Sequence, residues 1–140
     1  MTTLTAGLAE QIANEFLDCA DAIDRRLVTD WKTLDAADQQ TLIGLAQQIR
    51  AQASLLVNQA VGMILDGTKD VFAQITSATA GGQKAIQNIQ TVDKVISIAT
   101  SLVALGVAVA SKDPQASIKA AGALFDQIAE GTNSTGPRLK

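Results

Sequence analysis

Along the first quarter of the chain, apolar residues fall at Leu8, Ile12, Phe16, Cys19, Ile23 and Leu27, in steps of four, four, three, four and four. That spacing places them on one stripe of a 3.6-residue period and predicts an amphipathic helix from about Thr5 to Val28. Glu10, Asn14, Asp18, Asp21 and Arg25 lie off the stripe, and Asp21 and Arg25 stand four apart, a spacing that supports a helix. Thr29 to Leu34 reads as an elbow, with Trp31 packed under the helix ends or, as a minority alternative, anchored at a membrane interface.

Asp35 is a good N-cap for a second helix, with Asp38 facing its exposed amides. The stripe resumes as Leu42, Leu45, Ala46, Ile49, Ala53, Leu56, Ala60, Met63, Ile64, Val71, Ile75 and Ala78. Asp66-Gly67-Thr68 could interrupt it, but Val71, Ile75 and Ala78 remain in phase, which favours one helix, bent or straight, from Ala36 to Thr79. Such a rod would be about 66 Å long, as in elongated bundles and hairpins. Gly81-Gly82 reads as its end. A third helix then runs from about Gln83 to Ser111, amphipathic at Ile86, Ile89, Val92 and Val95 and apolar thereafter. Asp113-Pro114 is a strong helix start, an N-cap followed by proline at the first helical position. The fourth helix carries Ile118, Ala121, Phe125 and Ile128, and Gly131 stops it.

The pattern therefore predicts an all-α fold: an elongated three- or four-helix bundle whose second and third helices make a long antiparallel hairpin. One domain spans 1–131, with a flexible tail over 132–140. Proline occurs only at Pro114 and Pro137, so little breaks the helices, and 47% apolar residues suffice for a core. Aromatics are only 3%, so the core is built from Ala, Leu, Ile and Val, which let helices pack closely.

The run from Val95 to Ser111 changes the picture. VISIATSLVALGVAVAS contains no charge, and Lys94 and Lys112 bracket it. Its principal apolar residues are Val95, Ile96, Ile98, Leu102, Val103, Leu105, Val107 and Val109, which point to every side of a helix. Three explanations fit: a central helix covered by the rest of the bundle, a face covered by another copy or a helical partner, or a segment released into lipid. The third layout is similar in kind to α-helical pore-forming toxins, although the run spans only about 25 Å against a hydrocarbon core of about 30 Å. Ser97, Thr100 and Ser101 weaken constitutive spanning, while small residues at Ser97/Ser101, Ala104/Ala108 and Gly106/Ala110 allow close helix approach.

Chemistry narrows the function further. The chain has no histidine, which removes Ser-His and Cys-His pairs, the commonest general base and imidazole metal ligands. Gly81-Gly82-Gln83-Lys84 lacks the spacing of a phosphate loop. The lone cysteine, Cys19, lies in the first stripe and reads as a buried inert thiol. Glu15, Asp18, Asp21 and Asp24 form an acidic row that reads as a solvated face rather than a cation site. A net charge of −3 argues against nucleic acid, which needs a basic face. Asn133-Ser134-Thr135 matches a glycosylation sequon, but no secretory signal opens the chain, which leaves a cytoplasmic protein or one exported without a signal.

The expectation is a non-enzymatic assembly protein with no cofactor, no bound metal and no small-molecule substrate. It would associate with itself or a helical partner through apolar helix faces. The alternative is a membrane-active protein that inserts 95–111.

Overall fold

A computed structural model describes residues 2–65, 71–88 and 91–134. Among the described residues five antiparallel-packed helices form an all-α bundle: α1 (Ala6–Asp30), α2 (Ala36–Gln59), α3 (Val71–Asn88), α4 (Val92–Ala110) and α5 (Pro114–Ser134). The sequence stripe fixes α1. Ile12, Phe16, Cys19, Ile23 and Leu27 are buried, and the Thr5 hydroxyl caps the helix by accepting from Leu8 N at 3.2 Å. A single 3-10 turn, Trp31–Thr33, follows directly.

Asp35 caps α2 by accepting from Asp38 N at 2.8 Å, and Asp113 caps α5 by accepting from Ala116 N at 3.0 Å. Each cap satisfies an amide left open at a helix start, an arrangement typically contributing ~1 kcal/mol.

The second helix does not continue to Thr79. It ends at Gln59, and Gly62 adopts φ +93°, a left-handed conformation that glycine reaches without a Cβ penalty. The chain then turns to pair with its own start. Leu4 N donates to Met63 O and Gly62 N to Leu4 O, both at 2.8 Å, and Thr2–Thr3 (β1) pairs antiparallel with Ile64–Leu65 (β2). This two-residue ribbon is a clasp, not a layer. Leu4 and Met63 are buried beneath it. Asp66-Gly67-Thr68, the possible interruption in the sequence pattern, lies outside the described residues.

Nor does Gly81-Gly82 end a helix. Both residues lie inside α3, and a Cβ on Gly82 would sit 3.4–3.6 Å from Leu102 side-chain carbons of α4. The glycine is a close-packing residue. The helix expected from Gln83 to Ser111 is instead broken after Asn88, and α4 starts from an extended Thr91. At its far end Lys112 takes φ 61° and leads tightly into Asp113. Helix α5 runs through Gly131 to Ser134 rather than stopping at Gly131, so 132–134 are helical; 135–140, including Thr135 of the sequon and the rest of the expected tail, lie outside the described residues.

The long antiparallel hairpin is α1 with α2, not the second helix with the third. Arg50 of α2 braces it by donating to Asp24 at 2.6 Å and Asp21 at 2.9 Å. Asp21 thus bonds across the hairpin rather than to Arg25. These groups are part-exposed, so the pair contributes at most ~1 kcal/mol, and buried apolar surface carries the fold.

Cys19 shows the depth of that core. It is fully buried, and its thiol donates to Thr79 O of α3 at 3.4 Å. Burial, followed by the nearby Asp18 and Glu15 charges, pushes its pKa up to about 12. Because the folded value exceeds the ordinary 9.0, the stability tied to the neutral thiol is intact below pH 9 and is lost as pH rises through about 12. Native protein should label with a thiol reagent slowly at neutral pH and rapidly in denaturant. Cys19→Ala should cost about 1 kcal/mol by urea unfolding. Fast native labelling would mean α1 is turned or detached.

Candidate functional site

The uncharged run falls on α4, which packs against α2, α3 and α5. The structure sorts its eight singled-out residues into two sets. Val95, Ile98, Leu102, Leu105 and Val109 are buried in the core. Ile96 and Val103 are half-buried at its edge, and Val107 is 53% exposed. Val103, at the centre of the run in sequence, is therefore within reach of water. Leu102 holds the central position.

The outward set is ordered. Ile96, Thr100, Val103, Val107 and Ala110 are all exposed or half-buried, and they recur at steps of four, three, four and three. That is the repeat with which one helix presents a seam to another. The residues beside the seam, Ser97, Ala104 and Ser111, are small. Their hydroxyls do not seek water alone. Thr100 Oγ1 donates to Ile96 O at 2.8 Å, Ser97 Oγ to Asp93 O at 3.1 Å and Ser111 Oγ to Ala108 O at 2.9 Å. Bonded to their own helix, they leave methyl and methylene surface outward. An ordinary solvent-facing stripe carries charge; this one carries none for four turns.

Gly106 marks the opposite side of α4. A Cβ there would lie 3.0 Å from both Phe16 Cε2 and Gln52 Cβ, so the backbone of α4 presses directly onto α1 and α2. This contact fixes the helix's rotation and hence which residues face out.

Other candidate features resolve differently. The acidic row is divided. Asp21 and Asp24 are tied to Arg50, while Glu15 turns partly inward, where burial and then the Asp18 charge raise its pKa. Glu15 Oε1 and Gln52 Oε1 are buried without a hydrogen-bond partner. Among the described residues no three metal-ligating side chains converge. Trp31 is not packed under the helix ends: it is 46% exposed, beside Val28 at 81%. Phe125, placed in the stripe of the last helix, is 41% exposed, and Leu124 takes the inner position. Leu124 could have been found from its four-residue spacing to Ala120 and Ile128.

No protein-family model, curated protein or solved structure matches the chain.

Proposed function

We propose that the protein is a non-enzymatic assembly protein that associates with another copy of itself through the outward face of α4. The observation that carries this reading is the uncharged four-three seam from Ile96 to Ala110. A seam of this period accepts the matching ridge of a second helix, and small neighbours let the two backbones approach closely. Pairing the same face across a two-fold axis closes the contact without leaving further sticky surface. Light scattering at micromolar concentration should give a molar mass above that of one chain, falling on dilution. A strictly monomeric species with a cooperative melt would sink the reading.

Membrane insertion is the second reading, favoured by one observation: Val92–Ala110 is long and apolar enough, by length and composition, to cross a bilayer, with a mean hydropathy of 1.8. It ranks lower because insertion would withdraw Val95, Ile98, Leu102, Leu105 and Val109 from the core. Dye release from liposomes by the wild-type protein would raise it above assembly.

A further inference from the structure

The elbow between α1 and α2 carries a second surface, independent of the α4 seam. Asp24, Leu27, Val28 and Trp31 follow i, i+3, i+4, i+7 and make one continuous helical face. Leu27 is buried, whereas Val28 and Trp31 are 81% and 46% exposed, so the face slopes from the core into solvent. With Thr29 and Lys32 these residues line an open apolar groove of about 870 Å³. A polar groove of about 430 Å³, lined in part by Arg25, Gln87 and Asn88, adjoins it across the shared Thr29.

The charges around this groove are unevenly committed. Asp24 is held by Arg50 at 2.6 Å and Asp30 by Arg26 at 2.8 Å. Arg25 and Lys32 make no ion pair among the described residues. The carbonyls at the helix end are also satisfied: Asp30 O accepts from Thr33 Oγ1 and Leu34 N, and Trp31 O accepts from the Gln39 side-chain amide at 3.0 Å. Hence the negative end of α1 is muted and two cations flank an exposed valine and tryptophan. On a chain of net charge −3 this basic-rimmed apolar spot runs against the overall balance.

We propose that the elbow groove binds an acidic amphipathic helix of a partner protein. Apolar side chains of that helix would enter between Val28 and Trp31, and its carboxylates would meet Arg25 and Lys32. A helix laid against an apolar surface presents its own anchors at i, i+3, i+4 and i+7. A bilayer fits less well, since two cations cannot hold an acidic protein on anionic lipid.

Trp31 is the only tryptophan, and there is no tyrosine, so its emission reports the groove directly. The probe is a synthetic peptide of about 15 residues with leucines at i, i+4 and i+7 and glutamate around them. Added to the full chain, it should shift Trp31 emission to the blue saturably, and raising the salt about tenfold should weaken binding several-fold. Val28→Asp combined with Lys32→Glu should abolish the shift without changing helix content, whereas Val107→Lys should keep it. Four results would each overturn the proposal. They are no saturable shift at about 1 mM peptide, a weak-binding limit; an equal response to a lysine version of the peptide; a shift with anionic phosphatidylserine vesicles but not with the peptide; or, without peptide, emission that follows protein concentration and marks a second copy in the groove.

Discussion

Leu102→Asp should leave the protein largely unfolded at neutral pH. Leu102 is fully buried at the middle of α4, against the Gly82 backbone of α3. Removing a buried leucine side chain costs about 2–5 kcal/mol. An unsatisfied polar group in its place adds about 1–3 kcal/mol. The sum is comparable with the ~5–15 kcal/mol that holds a typical domain together. The deficit should shrink as pH falls, because the introduced carboxyl is accommodated better when neutral. Val103→Asp, one residue along but half-buried, should lose no more than about 1.5 kcal/mol. Circular dichroism melts of the two variants check this. If Val103→Asp unfolds the chain while Leu102→Asp melts normally, α4 is rotated from the orientation described.

Phe16→Ala is the second large effect. Phe16 is fully buried, and its ring meets the α4 backbone where a Cβ on Gly106 would lie 3.0 Å away. The truncation should cost about 3–5 kcal/mol, from lost burial and the cavity left behind. Gly106→Ala pushes on the same contact. In the native background its crowding cost of about 1–3 kcal/mol is partly offset by alanine's helix propensity, about 1 kcal/mol better than glycine's. In the Phe16→Ala background the ring's share of the crowding is gone, and only the Gln52 side chain, with Cβ at 3.0 Å and Cγ at 3.1 Å, still opposes the propensity gain. Urea unfolding of the four proteins should therefore be non-additive, with Gly106→Ala less harmful, or stabilising, when Phe16 is absent. Strict additivity would separate Gly106 from Phe16.

Local signals carried much of this architecture. The stripe of α1 is legible from Ile12 to Leu27 because polar residues separate its members. The caps at Asp35 and Asp113 are legible because their side chains act within three residues. The breaks were harder, for a physical reason: a stripe that stays in phase does not report whether the rod beneath it is continuous. Helix α2 ends where Leu4, far away in sequence, bonds Met63 and Gly62, and only Gly62 itself hints at the turn. Gly81-Gly82 has the composition of a turn, yet packing against Leu102 keeps it helical.

The same limit applies to the candidate surface. Inside an all-apolar run no polar residue marks which side faces out, so Val95 and Val107 read alike although one is buried and the other is not. Helices α2, α3 and α5 cover α4 and still leave one seam open. The four-three spacing of that seam was present in the sequence but indistinguishable from its apolar background. At the elbow, Val28 lies just off the stripe of Leu27, which was the available sign of its exposure.

Equilibrium molar mass, measured side by side for wild type and Val107→Lys at the same micromolar concentration, tests the central claim most directly. Val107 is 53% exposed, so lysine there should leave the melt and helix content unchanged while placing a charge in the seam. The predicted result is an oligomer for the wild type and a folded single chain for the variant. Two folded proteins of equal mass, whether both monomeric or both assembled, would contradict association through α4.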